Sequence, residues 1–169
     1  MVVSLANPQE MVTEQVEGLS LWLYRVARDE DRLNAPPQRE TARDRRLTPL
    51  PLRLHYLVTP VVRPSVANAA ELEQTVLGKA MQSLHDHPGF RGPDLQGDFS
   101  GTTVEFQMRL EPMSLEEITR VWNALDESYQ LSVSYEASVI VVRSERVEAV
   151  VPVEVAIPQT AVIVEKVES

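Results

Sequence analysis

From Ser114 the chain reads SLEEITRVWNALDESYQLSVSYEASVIVV, and its apolar residues change period part-way along. Leu115, Ile118, Val121, Trp122 and Leu125 recur at three and four residues, the spacing of one helical face. Ser114 and Glu117 have capping-box spacing, S-x-x-E: the hydroxyl can accept from the Glu117 amide and the carboxylate from the Ser114 amide, which places the helix start. After Glu127-Ser128 the period falls to two. Leu131, Val133, Tyr135, Ala137, Val139 and Val141 take one side, and Ser132, Ser134, Glu136 and Ser138 take the other. The pattern predicts a helix laid across a half-buried sheet, with the serines as solvent-side filler.

The same reading extends along the chain. Val2 to Ala6 reads as a short strand stopped at the turn pair Asn7-Pro8. Leu19 to Arg28 alternates Leu19, Leu21 and Leu23 against Ser20, Trp22 and Tyr24; both faces carry large side chains, which predicts a strand buried on two sides. Asp29 to Pro49 is polar and reads as a long loop. LPLRLHYLVT sets Leu50, Leu52, Leu54, Tyr56 and Val58 against Arg53 and His55, a half-buried strand ended by Pro60. Asn68, with Glu71 three residues on, opens a second helix whose stripe is Leu72, Val76, Leu77, Ala80, Met81 and Leu84. Thr102 to Leu110 alternates again.

These elements predict an α+β fold over residues 1–143, a mainly antiparallel β-sheet with two α-helices packed on one face. Residues 144–169 read as an extended β-rich C-terminal arm, interrupted by Pro152 and Pro158 and with no obvious turn back. Such a strand must be paired. It either adds to a neighbouring subunit's sheet or forms an edge of its own.

Composition narrows the chemistry. The 169 residues, 43% hydrophobic and 24% charged, have the balance of a globular domain. Twelve prolines against six glycines favour stiff, extended connections over tight hairpins. The lack of cysteine excludes a disulfide framework, a thiol nucleophile and a zinc–thiolate site. No apolar run approaches the ~20 residues of a membrane span, and MVVSLANPQE lacks a signal-peptide pattern, so membrane insertion is not expected and the cytoplasm is the default site of synthesis. A net charge of -9 opposes a nucleic-acid partner. Arg39, Arg43, Arg45 and Arg46 form the one cationic patch; with Glu40 and Asp44 among them it reads first as a solvated loop, and second as a surface for docking on acidic neighbours.

Only His85-Asp86-His87 has the composition of a ligand cluster. On a continuing helix the two imidazoles would stand about 200° apart, unable to share a metal. His55 is the one further histidine, so a metal-dependent hydrolase built on these three is the alternative from another functional class. The sequence contains no G-x-S-x-G, phosphate-cradling glycine loop or H-E-x-x-H, and no catalytic, cofactor or metal residue is assigned. Trp22 and Trp122 read as core residues or interface anchors. Candidates for subunit contact are Leu19, Leu21, Trp22, Leu23 and Tyr24 on the two-sided strand and Val153, Val155, Ile157, Val162 and Val164 in the arm.

In order along the chain, VSLANPQEM, GLSLWLYRVARDEDRLNAPP, LPLRLHYLVTP, LGKAMQSLHDHP, LEPMSLEEITRVWNAL and YQLSVSYEASVIVV resemble one family: the N-terminal domain of the tube-terminator, or cap, proteins of extracellular contractile injection systems. The resemblance runs to about Val142, and implies a tail-terminator-like fold and a structural, non-enzymatic role. In that role a homo-hexameric ring closes the end of the inner tube and meets inner-tube and sheath proteins; an adaptor or anchoring subunit of the same particle is the alternative. The chain would be made in the cytoplasm and end as part of the particle. Members of the family carry a helical segment before the first strand, where this sequence passes directly from Met1 to Val2-Val3.

Overall fold

The computed structural model describes residues 2–32, 44–46, 50–100, 105–142 and 147–149, with side chains throughout except at 32, 44–46, 98, 139–142 and 147–149. Eight strands and three helices are described. A six-stranded sheet has the order β1 (Val2–Ser4), β2 (Gly18–Arg28), β4 (Leu50–Val61), β7 (Val133–Val142), β6 (Glu105–Glu111) and β5 (Gly89–Arg91). The strands β3 (Asp44–Arg46) and β8 (Val147–Ala149) form a separate antiparallel pair. The described start of the C-terminal arm therefore pairs with the chain's own β3. Val153, Val155, Ile157, Val162 and Val164 lie outside the described residues, as do Arg39 and Arg43.

The expected α+β class holds, with three differences of arrangement. First, the sheet is mainly antiparallel as expected but contains one parallel pair: β1 runs parallel to β2, from Val2↔Gly18 to Ser4↔Ser20, while the other neighbours are antiparallel. Parallel pairing needs a crossover, and residues 5–17 provide one that contains α1 (Pro8–Thr13). Asn7 caps this helix. Its side chain accepts from the Glu10 amide at 2.8 Å, and Glu10 accepts from the Asn7 amide at 2.9 Å. Read as a turn pair, Asn7-Pro8 is instead a capping box with proline at the first helical position, where no amide is needed. Gly18 makes the parallel approach possible: its φ is +154°, and a Cβ there would lie 2.0 Å from the Val2 carbonyl oxygen.

Second, the two long helices lie on opposite faces. The helix α2 (Ala69–Asp86) covers Leu19, Val58, Met108, Tyr135 and Ala137 with Leu77 and Ala80. The helix α3 (Leu115–Ala124) packs Ile118 and Trp122 on Leu57, joined by Trp22 and Tyr24. Leu57 and Val58 are neighbours in one strand, and successive strand residues point to opposite faces. The expectation of both helices on one face therefore gives way to a sheet clad on both sides. On the α3 face, α1 packs beside β2 and β4, and the Ser20 hydroxyl donates to the Ala6 carbonyl at 2.7 Å.

Third, Ser132, Ser134 and Ser138 are not solvent-side filler. They are 5%, 2% and 5% exposed, buried on the α3 face. Small hydroxyls let the helix approach closely, and Trp122 Nε1 donates to Ser132 Oγ at 3.0 Å. The predicted capping box of α3 is present in full: the Glu117 amide donates to Ser114 Oγ at 3.3 Å and the Ser114 amide to Glu117 Oε2 at 2.8 Å. Asn68 precedes α2 as expected but stands at φ 60°, with no side-chain cap; it supplies a left-handed turn instead. The strand β4 passes through Pro60, which pairs with Leu19 on β2. Because β7 begins opposite Val58, no ladder partner on that side misses the proline's absent N–H.

Candidate assembly surfaces

The densest polar cluster lies between the sheet and α3. At its centre Glu111 accepts from Ser134 Oγ at 2.6 Å and from the Tyr24 hydroxyl at 3.2 Å. His55 Nδ1 lies 3.0 and 3.1 Å from the two Glu111 oxygens. Burial alone would raise the Glu111 pKa, but the hydrogen bonds from Ser134, His55 and Tyr24 outweigh it and hold the carboxyl below the usual range. Burial pushes the Tyr24 phenol up. Serine, histidine and glutamate meet here in an order unsuited to nucleophile activation, because the hydroxyl faces the carboxylate rather than the imidazole. Ser134 and His55 are 2% and 4% exposed, whereas Glu111 is partly exposed, and His55 and Glu111 both line the cleft that opens around Arg53. His55 Nε2 is buried without a hydrogen-bond partner among the described residues.

The three histidines do not converge. His55 belongs to the α3 face, whereas His85 lies in the last turn of α2, on the other side of the sheet, and His87 follows that helix's end. Among the described residues, no group of three or more His, Asp or Glu side chains is placed to hold a metal ion.

A second polar site sits at the far end of β2. The Arg53 guanidinium donates to Asp29 Oδ1 from Nε at 3.1 Å and from Nη2 at 2.9 Å, and also reaches Asp31. Glu136 lies 3.8 Å away. Asp29 first, then Asp31, hold this arginine further toward its charged form. Around it opens a cleft of about 490 Å³ whose rim carries Arg25, Arg28, Glu30 and Asp31. With both signs of charge mixed along its wall, the cleft presents no field that selects an anion or a cation.

Exposed apolar residues are spread over the described surface, Leu115 and Val26 among them, and some stand at each of the two sheet edges. On β1 and the chain beside it Val2, Val3, Leu5 and Val12 are exposed, Leu5 at 73%. At the opposite edge Leu110 is exposed beside a groove of about 540 Å³ between α2 and β6. Of the residues expected at subunit contacts, Leu19 and Leu21 pack in the core under α2, and Trp22 and Tyr24 pack toward α3, while Leu23 is exposed. A bulge between Leu23 and Arg25 separates them from the rest of the strand. Arg45 and Arg46 lie on β3, opposite Glu148 and Val147. The Leu110 edge was missed in the sequence, although a strand closed by Glu111-Pro112 carries its signal: proline cannot continue the ladder, so the strand ends with its last apolar residue uncovered.

The model of the Pvc16 N-terminal domain family matches residues 1–155. Two solved structures share the fold. One is the sheath/tube terminator of an extracellular contractile injection system, PVC, in its extended state, with a TM-score of 0.55 and 20% identity over 95% of this chain and 57% of that one. The other is the tube-terminating cap of the anti-feeding prophage, with a TM-score of 0.54 and 18% identity over 95% of this chain and 54% of that one. The chain thus spans little more than half the length of either. No curated protein matches it.

Proposed function

The chain belongs to the Pvc16 N-terminal domain family, and from that premise we propose that it is a structural subunit that caps the inner tube of a contractile injection particle. Six copies form a ring at the tube end, which stops polymerisation and contacts the last layer of sheath. Its partners are other copies of itself, the inner-tube protein and the sheath protein, and its role is non-enzymatic. It is made in the bacterial cytoplasm and leaves it as part of the particle.

The observation that carries this reading is the terminator fold across 95% of the chain, in a sheet whose two edges both end in exposed apolar residues. A closed ring requires heterologous contact, in which two different surfaces of one subunit meet across each interface. Opposite edges of one sheet are such a pair of surfaces. In the Ser134–His55–Glu111 cluster the serine hydroxyl is buried and bonded to the carboxylate rather than the imidazole, an arrangement that does not activate a nucleophile.

Light scattering coupled to size exclusion is the first test. A ring has six times the chain mass of 19.0 kDa, and it should co-purify with tube and sheath proteins in a pull-down. A monomer that retains neither protein overturns the cap reading.

A further inference from the structure

The strand β6 is open along half of its outer edge. β5 pairs with it only from Gly89↔Gln107 to Arg91↔Glu105, and the Met108 amide then donates to the Pro88 carbonyl at 2.7 Å. Backbone groups alternate direction along an antiparallel ladder, so Leu110 turns its N–H and C=O to the same outer side as Met108. Among the described residues no strand pairs with it there. Alongside runs the groove of about 540 Å³, whose lining is mostly apolar, Met81, Met108 and Leu110 included, with Gln82, His85 and Arg109 but no carboxylate. An open edge beside an apolar trough is an aggregation hazard unless something covers it.

We propose that residues 153–157 of a neighbouring copy add to the Leu110 edge as a strand and fill this groove. The inference rests on the ring reading above and names its joint. The segment Val-Glu-Val-Ala-Ile lies between Pro152 and Pro158, so all five of its residues carry the amide that strand addition requires. Extended, it is about 17 Å long. Val153, Val155 and Ile157 share one face and Glu154 and Ala156 the other. The apolar face matches the trough, and Glu154 then points to the other face of the sheet, the side that carries Arg109 and Glu111 of β6.

Chain direction favours a neighbour as the donor. β7 starts beside the groove, where Tyr135 pairs with Leu110, and ends at Val142 opposite Leu50, at the other end of the sheet. From there β8 runs along β3 from Val147, opposite Arg46, to Ala149, opposite Asp44. Arg46 is the end of β3 nearer in sequence to β4, so the chain departs pointing away from its own sheet, as a head-to-tail donor does. Residues 150–169 lie beyond that point, long enough to reach an adjacent subunit.

The chain has no cysteine, so a crosslink reports one contact. Leu110→Cys and Val155→Cys chains of different tag length are co-produced and oxidised mildly, and the Leu110→Cys/Val155→Cys double variant is treated alongside. Leu110 is exposed, so its substitution spares the core, which circular dichroism checks. The proposal expects the mixed pair to yield a disulfide-linked heterodimer as its main product, and the double variant a ladder of linked chains. A disulfide closed within one chain overturns it by showing that the segment folds back on its own groove. No disulfide at all also overturns it, and light scattering on the same samples then separates the cases: a six-fold mass retains the ring and rejects only the joint, and a monomer rejects both.

Discussion

The two faces of the sheet are both buried, but they are held by different physics. Under α2 the contact is Leu19, Val58, Leu77, Ala80, Met108, Tyr135 and Ala137, an apolar layer with no direction of its own. Under α3 the apolar contact shrinks to Leu57, Ile118 and Trp122, and around it stand Ser132, Ser134, His55, Tyr24 and Glu111, each with a specified partner. An oily layer fixes that a helix docks, whereas a layer of paired polar groups also fixes where. A misplacement breaks the Trp122–Ser132, Ser134–Glu111 and His55–Glu111 contacts, even though His55 Nε2 itself has no partner among the described residues. The α3 face therefore sets the register of the fold, and the α2 face supplies most of its apolar burial.

The sharpest way to break this contrast is at Trp122, which is fully buried and is both the largest apolar contact and a hydrogen-bond donor on its face. Trp122→Ala should cost about 3–5 kcal/mol in urea unfolding. The informative companion is a pair of conservative changes, one on each face. Leu77→Met, under α2, should cost less than about 1.5 kcal/mol, as volume-conserving apolar swaps do. Trp122→Phe loses volume and strips Ser132 of its donor, and should cost more than Leu77→Met. Equal costs would show that the α3 face is held by packing alone.

A smaller effect, with a pH signature, comes from Glu111→Gln. Hydrogen bonds to a charged carboxylate contribute about 1.5–3 kcal/mol in total effect when one partner changes, so a loss in that range is expected at neutral pH. The sign with pH follows from the depressed carboxyl. A group whose folded pKa lies below its unfolded value, here near 4.5, contributes stability that is complete above that value and is lost as pH falls through the folded pKa. The gap between the natural chain and Glu111→Gln should thus be constant above about pH 6 and close as the pH falls below the unfolded value toward the depressed folded one. A gap that persists into acid would mean that the carboxylate's charge is not what organises Tyr24, Ser134 and His55.

What could be read in the sequence divides along the same line. Period and caps are local: the α3 stripe, its capping box, the α2 stripe and the two-sided β2 follow from spacing alone. The side on which a helix docks is not local: the two-sided β2 and Leu57, the apolar residue on the His55 side of β4, signal that the second face is covered without saying by which helix. The three serines of β7 illustrate the difficulty, because a hydroxyl every second residue looks the same under water as under a helix. α1 was legible and was passed over: Asn7-Pro8 suits a turn, but Glu10 at the third helical position converts the same pair into a helix start. The Glu111 cluster joins four strands, β2, β4, β6 and β7, and no spacing rule reaches across them.

The smallest expected effect sharpens the comparison at the exposed end of α3. Ser114→Ala removes the hydroxyl that accepts from the Glu117 amide at 3.3 Å and leaves the Ser114 amide still bonded to the Glu117 carboxylate at 2.8 Å. Loss of an N-cap hydroxyl costs about 1 kcal/mol, and here the surviving half of the box keeps the change at or below that. Glu117 supplies a check, because the Ser114 amide and hydroxyl together hold its carboxyl below the usual range, and without the hydroxyl it should titrate closer to an ordinary glutamate. If Ser114→Ala cost as much as Glu111→Gln, the start of α3 would be set by its cap rather than by the buried polar layer. A cost near 1 kcal/mol or less leaves the register of the helix to the Ser132, Ser134 and Glu111 contacts beneath it.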